Sequence, residues 1–119
     1  MKISVTKIVR FETAHVLDTA YSKECTQCHG HSYILEATFS GSLNKDGMVV
    51  DLKKIKEWLQ PIIEQYDHTL ITSDNFGKNP TAENMAIDIM WTLAQKTNLI
   101  SKIKLWETNS GYVEIERSF

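Results

Sequence analysis

The chain has 119 residues, of which 42% are hydrophobic, so we expect a single domain over residues 1–119 that buries a core without disulfide bonds. Thirteen basic and fifteen acidic residues give a formal net charge of −2, and no basic cluster interleaved with aromatics indicates a nucleic-acid partner. The N-terminal segment lacks a continuous apolar stretch, so we expect neither a signal peptide nor a membrane span, and therefore free thiols in a reducing cytoplasm.

Two stretches in the first third of the chain alternate between polar and apolar residues, as strands do. The first runs from Lys2 to Phe11 and the second from Tyr33 to Phe39. Apolar residues then recur at helical spacing from Leu52 to Tyr66. We expect Asp51 to cap this helix and Pro61 to kink it or to break its hydrogen-bond ladder.

A second helix and a hairpin are predicted in the rest of the chain. Apolar residues recur at helical spacing from Ala82 to Leu93, after a cap at Asn79 or Thr81. Two alternating stretches, Lys102 to Trp106 and Tyr112 to Arg117, then flank a turn that contains glycine. The order ββααββ predicts an α+β fold, a four-stranded antiparallel sheet with two helices on one face.

The segment Cys25-Thr-Gln-Cys28-His29-Gly-His31 holds both cysteines and two of the four histidines. Its first five residues match the C-x-x-C-H pattern of covalent haem attachment, which normally follows export and needs a second axial ligand. The two thiols could instead be a redox pair, or could belong to a structural Cys2His2 zinc site that would be cramped at this spacing. The third alternative is a metal clamp made by the two histidines.

We favour the metal clamp because a third histidine is expected beside it. His29 and His31 are two residues apart, so on a strand their side chains share one face. His15 follows the first strand, and an antiparallel hairpin places the end of that strand beside the start of the second. Three neutral imidazoles suit zinc and leave a fourth position for water or substrate, as in catalytic zinc sites. Separate surface histidines are the alternative.

Four other residues are candidates for the same site. A thiol near a bound cation tends to the thiolate form, so Cys25 is a candidate base or nucleophile, with an inert half-buried cysteine as the alternative. Asp67 could tune proton transfer at His68, although the pair could also be a cap or a surface feature. Glu107 has the parity of inward-facing strand residues, so it needs a partner, either an internal lysine or arginine or a ligand edge with adjacent N–H donors, as in a pterin or guanine.

Six motifs form one pattern along the chain: Phe11-Glu-Thr-Ala-His15, Cys25-x-x-x-His29-Gly-His31-Ser, the turn from Gly47 to Asp51, Tyr66-Asp67-His68, Asn79-Pro80-Thr81-x-Glu83 and Trp106-Glu107-Thr108. The pattern resembles the 6-pyruvoyl-tetrahydropterin synthase superfamily, and within it the bacterial 6-carboxy-tetrahydropterin synthases of queuosine and 7-deazapurine biosynthesis. The resemblance implies the tunnelling fold, a four-stranded antiparallel sheet with two helices between its second and third strands. It also implies a homo-oligomer of trimers stacked into hexamers, with sites at subunit boundaries.

The resemblance further implies a reaction and a set of site residues. The reaction converts 7,8-dihydroneopterin triphosphate to 6-carboxy-5,6,7,8-tetrahydropterin, with release of acetaldehyde and triphosphate. The implied roles are zinc ligands for His15, His29 and His31, proton acceptor for Cys25, acid partner for His68 with Asp67, and substrate binding for Glu107, the pterin anchor, and Thr108.

Two alternatives to this reaction remain open. The same scaffold can make 6-pyruvoyl-tetrahydropterin, although the three-residue gap between Cys25 and His29 matches the carboxy-forming branch, since a longer gap is typical of pyruvoyl-forming enzymes. A different class of protein would be a non-catalytic zinc-binding module that uses both cysteines and His29. Two residues depart from the family pattern: Cys28, which has no assigned role, and Thr72, where many relatives carry asparagine.

Overall fold

A five-stranded mixed sheet and three helices make up the described part of the chain. The structure, a computed structural model, describes residues 1–18 and 29–117, with the backbone alone for residue 29. The strands are β1 Ile3–His15, β2 His29–Gly41, β3 Thr69–Ile71, β4 Ile100–Thr108 and β5 Gly111–Glu116. The helices are α1 Leu52–Tyr66, α2 Ser73–Phe76 and α3 Ala82–Lys96. The α+β class predicted from the sequence is confirmed.

The strand order is β3-β1-β2-β4-β5, and every neighbouring pair is antiparallel except β1 with β3, which is parallel. The prediction of four strands is therefore wrong by one short strand. The missed strand has three residues, of which Ile71 alone is buried. Three residues are too few to show an alternating pattern, so periodicity could not reveal this strand.

Each of the two long helices begins directly after a residue whose side chain caps it. The Asp51 carboxylate accepts a hydrogen bond from the Lys53 backbone N–H at 3.0 Å, and α1 continues through Pro61. Pro61 is exposed, so water can satisfy the carbonyl group that has no N–H partner there. Thr81 caps α3, and its hydroxyl accepts from the Asn84 backbone N–H at 3.1 Å. Among the helices described, none is long and apolar enough to cross a bilayer.

The one-turn helix α2 begins at Thr72, one of the two departures from the family pattern. Thr72 is its N-cap: the side chain accepts from the Asn75 backbone N–H, and the Asn75 side chain accepts from the Thr72 backbone N–H in return. Thr72 thus has a local structural role, which satisfies backbone donors at the start of this turn.

One face of the sheet packs against the helices and forms the core. The alternation of buried and exposed residues along β1 also positions the candidate site. Phe11, Thr13 and His15 of β1 are buried, whereas Glu12 between them is exposed. The buried apolar residues of the sheet and of both long helices belong to one cluster, which includes Tyr33, Leu35, Phe39, Ile55, Leu59, Ile62, Met85, Ile89, Leu93, Ile103 and Leu105. His15 is therefore on the helix-covered face, where β1 ends.

Candidate metal site

Three side chains converge at one end of the sheet: His15, His31 and Glu107. Glu107 Oε1 lies 3.0 Å from His31 Nε2 and 3.6 Å from His15 Nε2. One ligand atom from each residue lies within 4.8 Å of the other two, a spacing that one metal ion could bridge. His15 is 1% exposed, His31 21% and Glu107 32%, so the cluster is buried on one side and accessible on the other.

The β1–β2 register brings the two histidines together. Thr13 pairs with His31, and His15 pairs with the backbone of His29. His15 and His31 are therefore diagonal neighbours on one face of the hairpin, and their ring centroids are 5.3 Å apart. The strand predicted to end at Phe11 continues to His15, so His15 is itself a strand residue with a fixed direction.

A β-bulge places Glu107 against the histidines. The β4–β5 pairing passes from Trp106 with Tyr112 to Thr108 with Gly111, so Glu107 is the extra residue on β4. Such bulges redirect a side chain and end regular pairing. From the sequence, a lysine or an arginine was one expected internal partner for Glu107. In the structure, its carboxylate lies against the two imidazoles.

The buried environment of His15 fixes which of its ring nitrogens carries hydrogen. Nδ1 lies 2.9 Å from the Pro80 carbonyl oxygen, and the Tyr33 hydroxyl lies 3.4 Å from the same nitrogen. Because a carbonyl oxygen only accepts, Nδ1 donates and Nε2 keeps the lone pair that a metal needs. The ligand set of imidazoles and a carboxylate therefore fits a zinc ion.

Tyr33 is a further residue at this site, and it was not predicted from the sequence. Its ring contacts both histidines edge-on, at 6.3 Å from His15 and 5.7 Å from His31 between centroids. Burial, with a smaller effect from the negative charge of Glu107, raises the pKa of Tyr33 far above its ordinary value, so the hydroxyl stays protonated. In the sequence, Tyr33 fits the apolar alternation of its strand, so nothing distinguished it from an ordinary core tyrosine.

Asp67 and His68 are fixed to the edge of β1. Asp67 Oδ1 accepts from the Glu12 backbone N–H at 2.8 Å, and its Oδ2 lies 3.0 Å from His68 Nδ1. The His68 backbone N–H donates to the Glu12 carbonyl at 2.6 Å. The hydrogen bond from the Glu12 N–H is the main cause of the lowered pKa of Asp67, and the interaction with His68 lowers this pKa further. The carboxylate thus stays ionised next to the imidazole.

Outside the pair itself, the described hydrogen bonds of the Asp67 side chain and of the His68 backbone N–H go to the Glu12 backbone, at the edge of β1. The His68 side chain is 80% exposed and lines a groove together with Glu12, Thr13, Gly30, His31 and Ser32, so His31 of the cluster borders the same groove. The cluster is on the helix-covered face. His68 also adopts a left-handed backbone conformation, with φ of 57°.

Several predicted site residues lie outside the described residues. Cys25 and Cys28 are in the segment 19–28, and of His29 the backbone alone is described, opposite His15. The haem, redox and structural zinc alternatives for this segment therefore stay untested. Thr108 is described: it is exposed at the end of β4 and lines a cavity with Glu107 and the first residues of α3, Ala82 and Glu83.

Comparison with known sequences gives one consistent result. The family model described as 6-pyruvoyl tetrahydropterin synthase matches residues 4–118. The 6-carboxy-5,6,7,8-tetrahydropterin synthase of Haemophilus influenzae is 31% identical over 94% of this chain and 97% of its own. A protein of Archaeoglobus fulgidus, named a putative enzyme of that kind, is 30% identical over 90% of each chain. The dihydroneopterin monophosphate aldolase of Pyrococcus furiosus is 30% identical over 98% of this chain and 99% of its own.

Comparison with solved structures agrees on the fold. The 6-pyruvoyl tetrahydropterin synthase of Caenorhabditis elegans superposes with a TM-score of 0.85 at 22% identity, over 99% of this chain and 97% of its own. The corresponding protein of Plasmodium vivax superposes with a TM-score of 0.80 at 16% identity, over 100% and 99% of the two chains. At these identities the likeness shows a shared fold.

Proposed function

Because the chain belongs to the 6-pyruvoyl tetrahydropterin synthase family, we propose that it is a zinc-dependent lyase acting on 7,8-dihydroneopterin triphosphate. The products would be 6-carboxy-5,6,7,8-tetrahydropterin, acetaldehyde and triphosphate, and the pathway queuosine or 7-deazapurine biosynthesis in the cytoplasm. The observation that carries the proposal is the convergence of His15, His31 and Glu107 in a chain of this family. The names of the Haemophilus and Archaeoglobus relatives support the choice of product.

We assign the zinc ligands to His15, His29 and His31. The register supports His29, because its backbone lies directly opposite His15 on the neighbouring strand. The contact between His15 Nδ1 and the Pro80 carbonyl supports Nε2 as the ligand atom. Glu107 would then be free to accept hydrogen bonds from adjacent N–H groups of the pterin, which would hold the ring beside the metal.

The proposed chemistry uses three further side chains. Zinc, when bound, would polarise the side-chain oxygens of the substrate and make the adjacent C–H group more acidic. The Cys25 thiolate would remove that proton, and His68 would exchange protons through Nε2 while its Nδ1 faces Asp67. The low pKa of Asp67 supports this arrangement, because an ionised carboxylate favours hydrogen on Nδ1.

The position of His68 supports an oligomer with sites at subunit boundaries. His68 is 80% exposed beside β1, at a groove that His31 also lines. A second copy of the chain could bring its own cluster to this imidazole. We therefore propose the trimer or hexamer implied by the family resemblance as the active form.

A product assay tests the reaction. Zinc-loaded protein is incubated with 7,8-dihydroneopterin triphosphate, and the products are identified by mass spectrometry and by trapping of acetaldehyde. We expect 6-carboxytetrahydropterin and acetaldehyde in equal amounts. The pyruvoyl product without acetaldehyde would refute the assignment in favour of the other family reaction.

A second candidate reaction is favoured by one comparison. The Pyrococcus aldolase is as similar to this chain as the carboxy-forming relatives are, so identity alone does not separate the two activities. An aldolase would break a carbon–carbon bond in the side chain of dihydroneopterin monophosphate, and the products would be a dihydropterin and a phosphorylated aldehyde. The same assay with dihydroneopterin monophosphate distinguishes the two activities. We expect little turnover of the monophosphate, whereas an aldolase would consume it.

The zinc ligands are tested against the non-catalytic module by substitution. We expect His15→Ala to lose zinc, Cys28→Ala to keep both zinc and turnover, and Cys25→Ala to keep zinc with little turnover. Full zinc content in the His15 variant would refute the three-histidine site. Loss of zinc in the Cys28 variant would favour the module that uses the two cysteines.

A further inference from the structure

We propose that the turn Asn79-Pro80-Thr81 is a positioning element of the metal site. Through the Pro80 carbonyl group it would hold His15 in the tautomer that presents Nε2 to the metal. The inference rests on the proposed zinc site. The proposed reaction itself gives these three residues no role, although the turn stands directly before α3 and touches a ligand.

The contact between the turn and His15 is short and buried. The Pro80 carbonyl oxygen lies 2.9 Å from His15 Nδ1, and the His15 side chain is 1% exposed. With hydrogen on Nε2 instead, the Nδ1 lone pair would face the carbonyl oxygen, and the carbonyl would lose its imidazole donor away from water. An unmade hydrogen bond at a buried polar group is strongly unfavourable, so the carbonyl selects one tautomer.

The residues on both sides of Pro80 are anchored to the first turn of α3. The Thr81 hydroxyl accepts from the Asn84 backbone N–H at 3.1 Å, and the Asn84 side-chain amide donates to the Asn79 carbonyl at 2.8 Å. The proline ring fixes its own φ. The carbonyl that faces His15 therefore has little freedom to turn away, because its position depends on the helix cap.

The turn also holds the chain that follows His15. The Asn79 side-chain oxygen accepts from the Asp18 backbone N–H at 2.9 Å. The turn thus contacts the ligand ring and the segment three residues beyond it. Both contacts fix His15 against α3, and neither has a signature in periodicity or composition.

Two matched cap variants test the proposal. Thr81→Ala removes the cap of α3, and Asp51→Ala removes the cap of α1, at the opposite end of that helix from Tyr66, whose carbonyl contacts Thr13 beside His15. We expect both variants to lower the thermal unfolding midpoint by similar amounts. We expect the zinc dissociation constant to rise tenfold or more for Thr81→Ala alone, the range seen when a partner of a metal-ligating histidine is lost. Thr81→Ser should restore the affinity.

The tautomer can be measured without zinc. The 15N chemical shifts of His15 in the zinc-free wild-type protein should report hydrogen on Nδ1, and Asn79→Ala should populate the other tautomer. The role of the turn would be overturned if the Thr81 and Asp51 variants lost zinc affinity equally. It would also be overturned if the wild type carried hydrogen on Nε2 of His15. If the wild type bound no zinc, the proposed function would fail and this role with it; zinc binding with equal losses would overturn this role alone.

Discussion

The Asp67 carboxylate should make stability depend on pH in a stated direction. Its pKa is lowered in the folded chain, mainly by the Glu12 N–H, so the ionised form stabilises the fold. That contribution is complete above the unfolded pKa of about 3.9 and is lost as the pH falls through the lower folded pKa. Asp67→Asn keeps an acceptor for the N–H but cannot titrate.

We therefore expect the unfolding free energy of zinc-free Asp67→Asn to fall less steeply below about pH 4 than that of the wild type. Urea denaturation at a series of pH values measures it. Asp46→Asn, in the exposed turn before α1, makes the same change of charge away from the Glu12 contact and is the control. A wild-type slope in the Asp67 variant would show that the Glu12 contact does not govern this titration.

The backbone conformation of His68 should lower the free energy of unfolding of the chain. Its φ of 57° is unfavourable for a residue with a Cβ atom, by about 1–2 kcal/mol. We expect His68→Gly to be more stable than His68→Ala by about 1 kcal/mol, since both lose the ring and only glycine relieves the backbone. Urea unfolding of the two variants compares them. An alanine variant as stable as the glycine variant would show that the left-handed conformation is not maintained.

At the scale of the elements, a hydrogen bond joins the two long helices. The Tyr66 hydroxyl, at the end of α1, donates to Asp88 Oδ2 of α3 at 2.6 Å. Tyr66→Phe leaves the half-buried carboxylate without this donor, so we expect a loss of about 2 kcal/mol in unfolding free energy. Asp88→Asn keeps an acceptor and should lose less. A phenylalanine variant with wild-type stability would mean that water replaces the hydroxyl at no cost.

The elements also show what the sequence can and cannot predict. Long strands and helices were predictable because their apolar residues repeat over several turns or pleats, and the caps at Asp51 and Thr81 follow from side-chain chemistry. The strand β3 was too short to show a period. The bulge at Glu107 depends on backbone pairing, and the contact of the Pro80 carbonyl with His15 depends on how the turn before α3 lies against β1; neither has a signature in the sequence pattern. The convergence of His15 with His31 was predictable, since it needs only an antiparallel hairpin.

At the scale of the whole molecule, the proposed sites at subunit boundaries predict complementation between inactive variants. His15→Ala would lack the metal site and His68→Ala the acid partner. If each active site combines His15 of one chain with His68 of another, random mixed oligomers regain about a quarter of wild-type turnover. The variants are refolded together and assayed, with each refolded alone as the control. No recovery in mixed oligomers would place both residues in the same chain's site.

The central claim is that imidazoles, and not thiols, hold the metal. The zinc-edge X-ray absorption spectrum of the wild-type protein tests it most directly. We expect nitrogen or oxygen neighbours at about 2.0–2.1 Å with imidazole scattering from His15, His29 and His31, and no sulfur shell. A sulfur shell at about 2.3 Å would contradict it, because Cys25 or Cys28 would then be a zinc ligand.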